Sequence, residues 1–305
     1  MAARLWRWVL GCELALAGLV AASLAVACKL SATEGLALAL AAYLVTQIVL
    51  VAASYLLAHG DAHDLRACSV GHTLWALCTE SFHFGLAKLL MCADPHLSRG
   101  DVQAPADARA ARPVLLIHGL ACNRAVWRGL IRALRGAGFA PIRAINLEPL
   151  FADIDEHTAG VERELRSLQQ QSAGTRVAIV AHSMGGLVAH AALRSAGPTV
   201  VGQIVTLASP HHGTAIACRF RSRPTQQMCL GSPWLSRLNA PPDPVTSIAL
   251  TSLYSLEDNL VAPAASAQLA GAESKPLRGL GHFAVLRSAG SIDSVLAALQ
   301  RGCLV

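Results

Sequence analysis

The sequence predicts an α/β domain, with a mostly parallel sheet covered by helices on both faces, preceded by two transmembrane helices. Two long apolar stretches occupy residues 8–28 and 35–58. From residue 113 onward, short apolar segments alternate with segments of helical periodicity, which is typical of a parallel sheet. Hydrophobic residues make up 53% of the 305 residues and charged residues 14%, which excludes a disordered chain and exceeds the apolar content of an ordinary soluble enzyme.

Both apolar stretches are long enough to span a bilayer, which takes about 20 residues of helix. The first stretch carries one charged residue, Glu13, and the second carries none, whereas a buried helix of a soluble protein would show a polar face. A cleaved signal peptide is the alternative for the first stretch, because residues 25–28 resemble a lipoprotein cleavage site. The apolar segment of a signal peptide is only about 7–15 residues long, which is shorter than residues 8–28. We therefore predict a transmembrane hairpin in residues 1–60, connected by residues 29–34.

The charges around the two stretches predict their orientation. Arg4 and Arg7 precede the first stretch, whereas the connection carries Lys29 and Glu34. Basic residues favour the cytoplasmic side of a membrane. We therefore expect the amino terminus and the chain after the hairpin to lie in the cytoplasm, at a bacterial inner membrane.

Nine cysteines are scattered along the chain without a CxxC pair or a zinc-site spacing. Such a pattern is typical of free thiols in a reducing compartment. The alternative concerns Cys218 and Cys229, which would be able to bridge a loop if that part of the chain faced the periplasm.

Residues 61–112 form a predicted connector. A helix in residues 65–91 has two alternative positions, on the membrane surface or packed on the following domain. His59 and His63 have helical spacing beside acidic residues, which a solvated face explains better than a metal site. Residues 99–112 are polar and rich in alanine and proline, as in a linker.

The net charge of +6 falls entirely on residues 113–305, which hold 17 basic and 11 acidic residues, because residues 1–112 hold 8 of each. A basic domain beside an anionic bilayer would be attracted to it. No basic run is interleaved with aromatic residues, so the sequence predicts a membrane and an acyl substrate as partners rather than nucleic acid.

Residues 113–305 form the predicted α/β domain. Periodicity predicts strands at residues 113–117, 140–145, 176–181 and 201–207, with weaker strands at 245–252 and 276–279. It predicts helices at residues 123–136, 155–171, 184–195 and 291–300. In such sheets the active residues gather at the carboxyl ends of the strands.

Residues 181–186, Ala-His-Ser-Met-Gly-Gly, follow the third of these strands and have the pattern of a nucleophile elbow, with Ala181 in place of the usual first glycine. Small residues flank the serine because this turn is tight, and the helix that begins there stabilises negative charge. We therefore predict that Ser183 is a nucleophile.

A serine of this kind requires an acid and then a base later in the chain. His282 lies in a glycine-rich loop after the last predicted strand, and we predict that it is the base. Asp258 follows the strand at 245–252, and we predict that it orients the imidazole, with the adjacent Glu257 as the alternative.

Residues 116–120, Leu-Ile-His-Gly-Leu, follow the first predicted strand. One backbone N–H from this loop and one after the nucleophile would bind an oxyanion, and the predicted donors are the amides of Leu120 and Met184. His118 precedes the nucleophile and breaks the triad order, so we interpret it as a structural residue.

These motifs, together with residues 208–214 (Ala-Ser-Pro-His-His-Gly-Thr), resemble the α/β-hydrolase superfamily, and within it the bacterial triacylglycerol lipases and esterases with an Ala-x-Ser-x-Gly elbow. The resemblance covers residues 113–305 and implies an α/β-hydrolase fold. It implies ester hydrolysis through an acyl-enzyme, without a cofactor or a metal. The predicted hairpin departs from the secreted members of that group.

Residues 214–244 hold five prolines and several apolar residues, and they form either a cap over the site or a surface excursion packed on the sheet. We predict a membrane-anchored serine hydrolase that cleaves acyl or lipid esters. The alternatives are an acyltransferase or thioesterase on the same triad, and a catalytically silent membrane protein whose hydrolase-like domain only binds.

Overall fold

The computed structural model describes residues 1–59, 69–94, 112–241 and 244–302. His63 and almost all of the expected linker lie outside these residues. The helices are α1 (Ala2–Cys28), α2 (Ala32–His59), α3 (Val70–Cys92), α4 (Arg128–Gly136), α5 (Ile154–Gln171), α6 (Met184–Ala196), α7 (Arg223–Met228), α8 (Pro233–Leu238) and α9 (Ala289–Gly302). The strands are β1 (Val114–Ile117), β2 (Ile142–Ile145), β3 (Val177–His182), β4 (Val201–Leu207), β5 (Ala249–Ser255) and β6 (Glu273–Leu277).

The six strands form one sheet in the order β2-β1-β3-β4-β5-β6, and every neighbouring pair is parallel. The helices α5 and α6 supply the apolar core on one face, and α3, α4 and α9 supply it on the other. The predicted fold class is therefore confirmed. Parallel strands bring the carboxyl ends of β1, β3 and β5 to one edge of the sheet, where the motifs of the sequence lie.

The last two strands differ in position from the prediction. Residues Pro244–Ser247 form a single 3-10 turn, and β5 begins at Ala249. The fixed φ of Pro244 suits the first position of a helical turn, which takes residues 245–247 out of the strand. Strand β6 lies at the edge of the sheet, where Pro276 is tolerated, and its polar residues explain the weak signal.

Helices α1 and α2 are 27 and 28 residues long, and both are long and apolar enough to cross a membrane. Their connection is shorter than predicted, because Glu34 belongs to the first turn of α2. Its carboxylate accepts from the Ser31 amide at 2.8 Å while Ser31 Oγ accepts from the Glu34 amide at 3.4 Å. This reciprocal cap begins the helix three residues earlier than apolarity alone indicates.

Helix α3 packs both on the sheet and on the two apolar helices. Ala87 and Met91 belong to the core beneath β1. The fully buried Lys88 donates to Glu13 of α1 at 2.8 Å and to Gln47 of α2 at 2.5 Å. The one charge of the first apolar stretch thus faces inward to a partner on α3. Helix α3 thus contacts the domain on one side and exposes Leu74, Trp75 and Phe82 on another.

Candidate active site

Ser183 occupies the sharp turn between β3 and α6. Its backbone has φ 55° and ψ −129°, a left-handed conformation that is strained for any residue with a side chain. The turn is tight because α6 approaches β1 closely: a Cβ on Gly185 would lie 2.5 Å from the Ile117 carbonyl oxygen and 2.6 Å from that of His118. The strain and the close packing together hold the Ser183 hydroxyl at the end of the strand.

A cavity of about 260 Å³ lies beside this turn. Both Ser183 and His282 line it, so the structure brings the predicted nucleophile and the predicted base to one space. Its other walls are mostly apolar: Leu120, Ala121, Ile216, Ala217, Phe220, Met228, Leu260, Val261 and Phe283. A cavity with two reactive groups at one end and apolar walls elsewhere suits a substrate with a hydrocarbon part.

Asp258 holds the imidazole of His282. Both side chains are buried, and Nδ1 of His282 lies 3.1 Å and 3.0 Å from the two carboxylate oxygens. The amides of Leu260 and Val261 donate to the same carboxylate at 2.8 Å and 2.9 Å, which fixes its orientation. Burial alone would lower the pKa of His282, but the Asp258 charge and hydrogen bond outweigh it and raise the pKa above 6.5.

Glu257, the alternative acid, is turned away from the base. Its Oε2 accepts from the Gly279 amide at 2.7 Å. The carboxylate is fully buried and braces the loop that carries His282. The structure therefore brings Asp258, and not Glu257, to the imidazole.

The loop after β1 lies against the serine. A Cβ on Gly119 would lie 2.8 Å from Cβ of Ser183, so only glycine allows this approach. Within the described residues, the amides of Leu120 and Met184 donate to no protein acceptor, which leaves both available to an oxyanion.

His118 is buried and serves this loop through two hydrogen bonds. Its Nε2 accepts from the Leu147 amide at 3.0 Å, and its Nδ1 donates to the Gly119 carbonyl at 2.8 Å. Burial lowers its pKa to about 4, so the ring is neutral at pH 7. This position agrees with the structural role expected from the sequence.

Three further side chains hold the backbone around His282, and sequence reasoning missed all three. Glu80 of α3, completely buried, accepts from the amides of Phe283 and Ala284 at 2.8 Å and 2.9 Å. Asn259 Oδ1 accepts from the His282 amide at 2.9 Å, and His182 Nε2 donates to the His282 carbonyl at 3.0 Å.

Burial raises the pKa of Glu80 to about 7, although the two amide hydrogen bonds act in the opposite direction. A lone carboxylate within an apolar helix was the one signal for such a residue, because it requires a buried polar partner. No local pattern distinguishes His182 or Asn259 from other polar residues near a turn.

The two halves of residues 214–241 lie in different places in the structure. Ile216, Phe220 and Met228 form a wall of the cavity, and a disulfide between Cys218 and Cys229 joins the two ends of this wall. Helix α8, by contrast, packs its apolar residues into the core of the sheet. The first half of the segment therefore lines the cavity, and the second half packs on the sheet.

Residues 152–256 match the family described as "PGAP1-like alpha/beta domain". Among solved structures, lipase B of Aspergillus fumigatus is 21% identical with a TM-score of 0.57, over 65% of this chain and 55% of that one. The mature lipase BlEst2 of Bacillus licheniformis is 18% identical with a TM-score of 0.57, over 66% of this chain and 96% of that one.

The phospholipase PlaB of Legionella pneumophila is 15% identical with a TM-score of 0.51, over 62% of this chain and 60% of that one. The matched region thus spans about half the length of the Aspergillus lipase. No curated protein matches the chain. The three likenesses cover about two thirds of this chain, and the α/β-hydrolase fold that the sequence motifs imply is confirmed.

Proposed function

We propose that this chain, a lipase-like protein with the α/β-hydrolase fold, is a membrane-anchored serine hydrolase that cleaves acyl or lipid esters. One observation carries the proposal. The strained turn at Ser183 borders the apolar cavity that His282 also lines. Asp258 forms a hydrogen bond with Nδ1 of the His282 imidazole. A nucleophile, a base and an orienting acid in this arrangement are suited to acyl transfer.

In the proposed reaction, Ser183 Oγ forms a bond to the acyl carbon while its proton passes to Nε2 of His282. The amides of Leu120 and Met184 stabilise the oxyanion of the tetrahedral intermediate. Collapse breaks the ester C–O bond, and His282 returns the proton to the leaving alkoxide. Water then attacks the acyl-enzyme by the same route, which releases the acid and restores Ser183.

The cavity favours an apolar acyl group over a charged one. Its volume of about 260 Å³ is below the about 300–1,000 Å³ of sites for whole small molecules, so it accommodates an acyl chain rather than a whole lipid. The wall that carries Phe220 also touches α2, where Arg219 Nε donates to the Leu57 carbonyl at 3.0 Å. The cavity thus lies close to the end of a proposed membrane helix. An acyltransferase or thioesterase would use the same groups.

A series of p-nitrophenyl esters of graded acyl length tests this proposal on the purified full chain. We expect kcat/KM to rise with chain length until the cavity is filled and then to level off, because each buried methylene contributes about 0.8 kcal/mol. Turnover of the corresponding thioesters, or transfer to an added alcohol, would identify the two alternative activities. No turnover of any ester would refute the proposed hydrolase.

The membrane anchor in this proposal is the pair α1 and α2. The start of α1 contacts the domain, because Trp6 Nε1 donates to the Ala121 carbonyl at 2.7 Å, and the end of α2 contacts it through His59. If both helices cross the membrane, the amino terminus and the domain lie on the same side. The disulfide between Cys218 and Cys229 favours an oxidising compartment. We therefore infer a non-cytoplasmic side, opposite to the side that the flanking charges favour.

Peptide mapping of the chain isolated from membranes after acid quenching tests this orientation. We expect Cys218 and Cys229 to resist alkylation until the protein is reduced, whereas the exposed Cys78 reacts without reduction and serves as the control. Alkylation of both residues in the unreduced protein would place the domain in a reducing compartment, as the flanking charges predict.

A further inference from the structure

We propose that the last turns of α2 position the catalytic acid, so that the second membrane helix is part of the active site as well as an anchor. Tyr55 and His59 are the positioning residues. This inference rests on the proposed hydrolase function and concerns how its acid is held.

Helix α2 contacts three consecutive residues of the acid loop. Tyr55 Oη donates to the Glu257 carbonyl at 2.7 Å, and His59 Nε2 donates to the Asp258 carbonyl at 2.7 Å. Asn259 Nδ2 donates to Ser54 Oγ at 2.7 Å. The residue whose carboxylate orients His282 is therefore held, with both its neighbours, by one helix end.

The contact at Asn259 continues to the base. The same amide that donates to Ser54 accepts, through Oδ1, from the His282 backbone N–H at 2.9 Å. Ser54 of α2, Asn259 of the acid loop and His282 thus form a continuous chain of hydrogen bonds. A displacement of α2 would move the acid and the base together.

The burial of α2 agrees with this function. Its buried residues are Gln47, Val51, Tyr55, Ala58 and His59, which share one helical face. Residues of the first half, such as Leu36, Leu40 and Leu44, are exposed in the structure and suit lipid. A helix that only anchored the domain would need no buried donors aimed at the acid loop, because carbonyls at a surface loop are satisfied by water.

The substitution Tyr55→Phe removes one hydroxyl group and keeps the ring. Tyr43→Phe is the matched control, because Tyr43 lies on the same helix with its ring 5.8 Å from the Lys88 ammonium, away from the acid loop. Both are measured in the full chain in detergent with a short soluble ester. A fluorophosphonate that labels serine nucleophiles titrates the active sites, so that turnover is expressed per site and misfolded protein does not count.

We expect Tyr55→Phe to lower kcat per site about three- to tenfold, the value of one hydrogen bond, with KM unchanged. We also expect the acidic limb of its pH–rate profile to shift to lower pH, because a displaced Asp258 raises the pKa of His282 less. Tyr43→Phe should match the wild type in both. His59→Gln retains an N–H donor and should keep most of the turnover that His59→Phe loses.

Equal per-site kcat and equal pH profiles for Tyr55→Phe, His59→Phe and the wild type would overturn the inference. The Ser183-dependent labelling separates this result from a failure of the proposed function. If Ser183 is labelled and turns over esters while the α2 variants have no effect, only the positioning role is wrong. If Ser183 is not labelled in the wild type, both proposals are wrong.

Discussion

Replacing Ser183 by alanine is expected to abolish ester hydrolysis, with kcat falling by roughly 10⁶-fold, as removal of the nucleophile does in triad hydrolases. In the proposed mechanism His282 then has no hydroxyl to deprotonate, and no atom attacks the acyl carbon. The measurement is turnover of a short p-nitrophenyl ester by the full chain, together with labelling by a fluorophosphonate. Both signals should be lost.

The fold should survive this change, since alanine removes only the hydroxyl that faces the cavity. The matched control is Ser195→Ala, because Ser195 is exposed at the end of α6 and its hydroxyl bonds to Glu162. This variant should keep full turnover, and both variants should melt close to the wild type. Turnover that persists in Ser183→Ala would show that Ser183 is not the nucleophile.

Replacing Asp258 by asparagine is expected to lower kcat by roughly 10⁴-fold, because an amide stabilises the wrong imidazole tautomer and no longer balances the imidazolium charge. The pH profile carries a second signature. A base works only when it is neutral, and Asp258 holds the pKa of His282 above 6.5. Its loss should therefore shift the acidic limb of kcat/KM to lower pH.

Glu257→Gln is the control for this experiment. The glutamine keeps an oxygen that accepts from the Gly279 amide, so we expect a loss of less than about tenfold, from the weaker hydrogen bond alone. If Glu257→Gln is the more damaging of the two changes, the acid is Glu257 and the assignment of Asp258 is wrong.

The fold could be predicted from the sequence because its signals, apolar strand segments and turn motifs, each span only a few consecutive residues. The apolar strand β3, Ser183 and the Gly185-Gly186 pair lie within a few residues of one another and form a recognisable pattern. The steric reason for the glycines is not local, because a Cβ on Gly185 would meet the Ile117 carbonyl and a Cβ on Gly186 would meet Ser209. The order of Ser183, Asp258 and His282 along the chain then left few alternatives for the acid and base.

Contacts between residues far apart in the chain could not be predicted, because no local pattern in the sequence indicates them. Glu80 and Phe283 are 203 positions apart, and neither one indicates the other in the sequence. The same holds for Tyr55 and Glu257, which are 202 positions apart. The disulfide was left open for a different reason, because pairing of two cysteines depends on their compartment as well as on their distance.

The docking of α2 on the acid loop has a consequence for the biogenesis of the protein. His59 and Asp258 are separated by 199 positions, so the contact forms only after most of the chain has been synthesised. If the chain is the proposed hydrolase, its acid would be held in place only once α2 has docked on the completed domain. A truncated chain that lacks residues 1–59 would be released without the groups that hold its acid.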